Sequence, residues 1–195
     1  MSTVDNVPMV ESESLRERLV GAGVDMLEEV GAAQLGLRAI TRAAGVSHGA
    51  PRRHFPTHRA LLAAIAARGF VDLIDRFATA EEGATMPREH LERMAAEYIT
   101  FAGQRPEMFT LMFRHDLLEG SGENLRQTTL PLFERFATLV HESAPYSADP
   151  RTRAITLWTN LHGIAALQAN RSLRLVEPGF DAGALVTQVI ARHLA

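Results

Sequence analysis

Residues 37–55 read LRAITRAAGVSHGAPRRHF, and this stretch decides the fold of the N-terminal part of the chain. An apolar face that starts at Leu37 continues at helical spacing until Gly45 interrupts it. Ser47 is a favourable N-cap for a second short helix, which we expect to run to about Phe55. The stretch therefore predicts two short helices joined by a tight glycine turn, the arrangement of a helix-turn-helix.

Helices are predicted on both sides of this motif. Upstream, Ser14 and Glu17 have the spacing of a capping box, and an apolar stripe follows them as far as Gly31. Downstream, Thr57 is a candidate N-cap for a long helix over residues 58–80. We expect a three-helix DNA-binding domain over residues 12–57 and a helical domain over residues 58–195, which begins with this connecting helix.

The second short helix has the composition of a helix that enters the major groove of DNA. Small residues at its start let the backbone approach a groove wall, and the arginines behind them can bind guanine edges or phosphate. A small core fixes its angle to the first helix, formed by Ile40, Ala44, Val46 and Phe55. The candidate DNA contacts in and around the motif are Arg38, Ser47, His48, Gly49, Ala50, Arg52, Arg53, His54 and His58.

The charge distribution agrees with a polyanionic partner for this segment. Residues 32–71 contain six arginines and no Asp or Glu, so their formal charge is +6. The rest of the chain has 14 arginines against 23 acidic residues, or −9, which gives the overall net charge of −3. A solvated charged surface is the alternative interpretation of such a run. Because salt screens charges beyond about 10 Å, a basic patch on an acidic body can still bind DNA.

The composition excludes several classes of protein. The chain of 195 residues has no cysteine, which excludes a disulfide scaffold, cysteine-bound zinc and thiol catalysis. No apolar run reaches the roughly 18 residues that a membrane helix needs, and the polar start differs from a secretory signal. We therefore expect a cytoplasmic protein that needs no cofactor and no metal.

The remaining helices are expected to form a C-terminal bundle, which brings the total to about nine helices in an all-α fold. The last two long helices each carry more apolar surface than one internal contact covers. We therefore expect a homodimer through these two helices. The expected centre of the interface comprises Leu157, Leu161, Ile164, Val186, Val189 and Ile190.

Aromatic and methionine side chains in the C-terminal part are candidates for a ligand pocket. Trp158 and His162 are four residues apart and therefore lie on one helix face. They could form a pocket wall with a polar group, or a packed tryptophan beside a hydrogen-bonded core histidine. The candidate ligand-binding residues are Phe101, Met108, Phe109, Met112, Phe113, Phe133, Trp158 and His162, and the same residues could equally be ordinary core.

Two segments of the sequence resemble the TetR family of transcriptional regulators. LRAITRAAGVSHGAPRRHF, followed by PTHRALL at 56–62, is similar to the DNA-binding segment of that family. FAGQRPEMFTLMF at 101–113 and WTNLHG at 158–163 resemble the WHG-type ligand-binding domain of one TetR branch. The resemblance implies an all-helical homodimer that binds a palindromic site on double-stranded DNA. It also implies that a small hydrophobic effector binds the C-terminal domain and releases the DNA.

Three positions depart from the family pattern: Gly36 replaces a usual Thr or Ser, Arg52 a usual Tyr, and His58 a usual Lys. In the family these positions commonly contact DNA phosphates. The departures leave open a TetR-fold protein that has lost DNA binding. An enzyme that uses His162 or the pair His115 and Asp116 is a second alternative, but no nucleophile with a base and no phosphate loop accompanies them. The leading prediction is a ligand-responsive repressor without enzymatic activity.

Overall fold

The computed structural model describes residues 14–46, 51–145 and 149–195, and in these ranges it confirms the all-α fold. The N-terminal helices are α1 (Leu15–Gln34), α2 (Leu37–Ala43), α3 (Pro51–His54) and the long α4 (His58–Ala80). The C-terminal helices are α5 (Pro87–Gln104), α6 (Pro106–Met112), α7 (His115–Leu118), α8 (Arg126–Ser143), α9 (Pro150–Ala169), α10 (Ser172–Val176) and α11 (Ala182–Leu194). The structure describes eleven helices in these ranges where about nine were expected, because α7 and α10 are additional single turns that the sequence analysis did not predict.

Local sequence signals define the starts of several helices. Ser14 and Glu17 form the expected capping box at the start of α1, and the Thr57 hydroxyl accepts a hydrogen bond from the Ala60 N–H at the start of α4. Gly31 has φ of 70°, and the helical geometry of α1 is interrupted there. A residue with a side chain would be strained at this φ, which explains the glycine.

One continuous core connects the N-terminal and C-terminal helices through α4. The long helix α4 packs against α1 on one hand and against α5, α6 and α7 on the other. Eleven residues of α4 are buried, among them Leu61, Ile65, Phe70 and Phe77. The predicted boundary at residue 57 stays a prediction, since the core continues across it.

The expected centre of the dimer interface is wrong. Leu157, Leu161, Ile164, Val186 and Ile190 are at most 6% exposed within a single chain, and Val189 packs partly buried against the same core. These residues join α9 and α11 to each other and to α5. The apolar stripes of both helices therefore belong to the core of one chain. None of the described helices is long and apolar enough to cross a membrane.

Candidate functional site

The helix-turn-helix segment presents an exposed arginine surface. Arg38 and Arg42 on α2, and Arg52 and Arg53 on α3, are exposed. No ion pair between described residues involves any of these four arginines. His54 is exposed as well, whereas the predicted contacts Ser47, His48, Gly49 and Ala50 lie outside the described residues. The described part of this surface carries positive charge that no carboxylate among the described residues neutralises in an ion pair.

A compact core supports this surface. Ile40 and Phe55 are at most 1% exposed, and Ala44 and Val46 pack partly buried against them. The guanidinium of Arg16 lies 5.4 Å from the centre of the Phe55 ring and pairs with Glu123, in the segment between α7 and α8. The end of α3 is thus fixed against α1.

His58 is exposed, and its ring also forms a hydrogen bond within the chain. Its Nε2 lies 2.6 Å from the carbonyl oxygen of Leu35, so this nitrogen carries the proton and donates the hydrogen bond. The bond ties the start of α4 to the segment between α1 and α2. Only Nδ1 of the ring remains for another contact.

The C-terminal bundle contains an apolar cavity of about 350 Å³. Residues of α4, α5, α8 and α9 form most of its wall, together with Phe113 and His115. The wall consists of Leu73, Phe77, Met94, Ala95, Tyr98, Phe113, His115, Thr129, Leu130, Leu132, Phe133, Phe136, Ile155, Trp158 and Leu161. Leu130, Ile155 and Trp158 are between 36% and 56% exposed, so they form the opening of the cavity.

The structure brings three of the predicted ligand-binding residues into this wall, namely Phe113, Phe133 and Trp158. The other five lie behind it. Phe109 packs on Phe113 with the ring centres 5.0 Å apart, and His162 stacks on Trp158 at 5.3 Å. The remaining three, Phe101, Met108 and Met112, are core side chains at most 1% exposed.

Tyr98 was missed by the sequence analysis as a site residue, although it marks the apolar face of α5. Its hydroxyl lies 2.8 Å from Nδ1 of His162, which joins α5 to α9. Burial raises the pKa of the Tyr98 hydroxyl above its usual range and lowers the pKa of His162 below 6.5. Both side chains are therefore neutral near pH 7.

The cavity wall is connected to the N-terminal helices through α6. The Glu28 carboxylate on α1 accepts hydrogen bonds from the backbone N–H groups of Glu107 and Met108, at 3.2 and 3.1 Å. It thereby caps the N-terminus of α6. At the other end of α6, Phe113 packs edge-to-face on Phe70 of α4 with a centroid distance of 5.7 Å. One short helix thus contacts α1, α4 and the cavity.

The enzyme alternative relied on His115 and His162, and neither of these side chains has the surroundings of a catalytic group. Arg114 donates two hydrogen bonds of 2.8 Å to the Asp116 carboxylate, which lowers the pKa of this exposed acid. Asp116 is therefore paired with an arginine rather than with His115. The hydroxyl of Tyr98 is the partner of His162, and both groups are neutral. The described residues contain no group of three or more His, Asp or Glu side chains that could hold a metal ion.

Comparisons with known proteins match two parts of the chain. Residues 19–65 match the family model described as bacterial regulatory proteins, tetR family, and residues 91–193, more than half of the chain, match the Tetracyclin repressor-like C-terminal domain. The nucleoid occlusion factor SlmA of Marinobacter nauticus is 24% identical over 133 residues, which are 68% of each protein.

Solved structures share the fold over nearly the whole chain. A protein from Rhodococcus sp. RHA1 is 27% identical with a TM-score of 0.79, and the alignment covers 96% of this chain and 97% of that one. The transcriptional regulator FadR from Bacillus subtilis, solved in complex with stearoyl-CoA, is 15% identical with a TM-score of 0.67, over 91% and 97% of the two chains. The two family matches cover both halves of the fold, and the chain belongs to the TetR family of bacterial regulatory proteins.

Proposed function

We propose that this protein is a ligand-responsive transcriptional repressor without enzymatic activity, which binds a palindromic operator as a homodimer and releases it when a small apolar effector binds. One observation carries the proposal: α4 joins an unneutralised arginine surface to an apolar cavity. His58 at its start contacts the segment between α1 and α2, and Leu73 and Phe77 near its end are part of the cavity wall. At 1.5 Å per residue, His58 and Phe77 are about 30 Å apart along the helix.

The position of α4 suggests how an effector would act. In the DNA-bound dimer, the two α3 helices must sit one turn of DNA apart, about 34–36 Å. An effector in the cavity touches α4 directly and can favour a tilt of this helix that changes the spacing. Glu28 couples α6 to α1 and supports the same motion.

The dimer that the proposal requires is assigned to the exposed faces of α9 and α11. Thr159 and Gly163 on α9, and Ala184 and Ala191 on α11, are exposed and small. A Cβ atom at Gly163 would meet nothing within 4 Å inside the chain, so the glycine is not required by the fold of one protomer. Small residues at these positions allow close contact between the helices of two copies.

Light scattering tests this assignment. Gly163→Arg should give monomers at micromolar concentration, whereas Leu175→Arg, at an 86% exposed position on α10, should remain dimeric. If both variants are dimers, the interface lies elsewhere. If the unaltered protein is a monomer, no dimer forms.

Operator binding is tested with DNA from upstream of the protein's own gene, by fluorescence anisotropy at several salt concentrations. Arg52→Ala should weaken binding to all sequences alike and reduce the salt slope by about one ion, because Arg52 is assigned to phosphate. Arg53→Ala should weaken binding too, and the exposed Arg174 on α10 provides the matched control. Equal affinity of the Arg52 and Arg53 double variant and the parent would reject α3 as the DNA-binding element. Absence of binding by the folded parent would favour a TetR-fold protein that has lost this activity.

A further inference from the structure

The cavity wall has almost no charged group. Twelve of its fifteen residues are apolar, and the polar ones are Tyr98, Thr129 and His115. Tyr98 is buried and neutral, and Thr129 cannot ionise at ordinary pH. His115 is exposed and lies at the edge of the wall, so solvent screens it.

The arginines near the wall already have acidic partners. Each is next to a wall residue in the sequence or stacks on one, and each donates to a carboxylate at hydrogen-bond distance. The three pairs are Arg114 with Asp116, Arg135 with the buried Glu81, and Arg151, which also lies over the Phe133 ring, with Glu134. No free guanidinium among the described residues lines the cavity to neutralise an incoming anion.

The polar group of the cavity that is removed from solvent is the hydroxyl of Tyr98. It is hydrogen-bonded to Nδ1 of His162, and a hydroxyl has one donor and two acceptor sites. One bond to His162 therefore leaves capacity for a bond with a ligand hydroxyl or amide. A carboxylate at this place would face a neutral donor at best, and burying an ion without a counter-charge is strongly unfavourable.

We propose that the effector is an uncharged, predominantly apolar molecule with one polar group that forms a hydrogen bond with Tyr98. Carboxylates and phosphate-bearing thioesters such as acyl-CoA do not bind in this cavity. This inference rests on the proposed function insofar as it takes the cavity as the effector site. The volume of about 350 Å³ is near the lower end of the range for small-molecule sites, about 300–1,000 Å³. A compact ligand therefore fills it.

Trp158 permits a direct test, because it is the single tryptophan of the chain and part of the wall. Its fluorescence is titrated with three probes of the same shape: phenylpentanol, phenylpentanoate and pentylbenzene. The alcohol should bind at least about tenfold more tightly than the ionised acid, because the wall offers no counter-charge. Acidifying the solution towards the pKa of phenylpentanoate should narrow this difference, because the protonated acid is neutral. Equal or tighter binding of the carboxylate, or absence of binding by all three probes, would overturn the inference.

Substitutions in the protein test which side chain forms the hydrogen bond with the hydroxyl group of phenylpentanol. Tyr98→Phe should weaken binding of phenylpentanol about threefold or more without changing that of pentylbenzene. Thr138→Val, at an exposed position of α8 outside the wall, should leave both affinities unchanged. An unchanged alcohol affinity in Tyr98→Phe would contradict the role given to Tyr98. Ala95→Leu fills space in the wall and should weaken all three probes, and His115→Gln should leave the preference for the alcohol intact. A preference lost in His115→Gln would show that the rim histidine sets the selectivity.

Operator release is measured separately by anisotropy with the same probes. Selective binding of phenylpentanol without release of DNA would contradict the proposed switch but leave the ligand selectivity of the cavity established. Release by phenylpentanoate at lower concentration than by phenylpentanol would support the switch and overturn the inference on charge.

Discussion

Gly69 on α4 lies where α6 approaches most closely, and Gly69→Ala is expected to separate the two helices. A Cβ atom at this position would be 2.5 Å from Sδ and 2.8 Å from Cγ of Met108, and 2.8 Å from Sδ of Met112. Both methionines are buried, at 1% exposure, so neither can move into solvent without opening the core. Overpacking of this kind costs about 1–3 kcal/mol. Alanine in place of glycine inside a helix stabilises the protein by about 1 kcal/mol. The net decrease in the free energy of unfolding is therefore about 0–2 kcal/mol.

Gly21 on α1 is the matched control, because a Cβ atom there meets nothing within 4 Å. Gly21→Ala should stabilise the protein by about 1 kcal/mol through helix propensity alone. The two variants should therefore differ by about 1–3 kcal/mol in the free energy of unfolding, measured by urea denaturation at equal protomer concentration. If Gly69→Ala stabilised the protein as much as Gly21→Ala, α4 and α6 would not be in contact as described, and the connection between cavity and α4 through α6 would lose its basis.

Three further predictions concern single side chains. Glu28→Ala removes the cap of α6 and should lower the free energy of unfolding, measured by thermal denaturation, by about 1 kcal/mol. Glu29→Ala, at the exposed neighbouring position, should lower it by less. Similar losses in the two variants would contradict the capping role. Glu81→Ala removes the buried carboxylate that accepts hydrogen bonds from the partly exposed side chains of Arg135 and His90, and it should lower the free energy of unfolding by about 0.5–1.5 kcal/mol. Glu82→Ala, at an exposed position, is its control in the same urea titration. The pKa of His162 is below 6.5 in the folded state because of burial, so the unfolded state takes up the proton more readily. The stability that this histidine contributes is present above about pH 6.5 and decreases as the pH falls towards its folded pKa. His162→Gln should therefore unfold with a flatter pH dependence between about pH 7 and about pH 5 than the parent, and an unchanged slope would contradict this account.

The local fold could be predicted because its signals are local. Ser14 and Thr57 cap α1 and α4 as the sequence analysis predicted. Each of these signals depends on hydrogen bonds within four residues, which sequence spacing captures.

The cavity could be predicted only in part, because its wall depends on how helices far apart in the sequence rotate against one another. The choice of Met112 as a wall residue illustrates the limit. It lies on the same aromatic stretch as Phe113, yet it packs on Gly69 of α4 while Phe113 faces the cavity. One position along a helix is a rotation of about 100°, and hydrophobicity alone does not distinguish the two faces of a helix buried on both.

Glu81 shows the same limit for charged residues. Two adjacent glutamates followed by a glycine at 81–83 are typical of a solvated loop, but Glu81 is 5% exposed and accepts hydrogen bonds from Arg135 and His90. Its partners lie nine and 54 positions away along the chain. Nothing in the local pattern indicates that a carboxylate at the end of α4 is buried by α5 and α8.

The position of Phe113 constrains how this protein can change its ligand. The ring is part of the cavity wall and, on its other side, packs on Phe70 of α4. In the proposed switch, a substitution of Phe113 that alters the ligand preference should therefore also alter how α4 packs, and selection for a new ligand would act at the same time on DNA affinity in the absence of ligand. Leu130 on α8 and Ile155 on α9 are exposed at the opening and belong to helices other than α4. Substitutions intended to change the ligand preference without changing DNA affinity in the absence of ligand should therefore begin at those two positions.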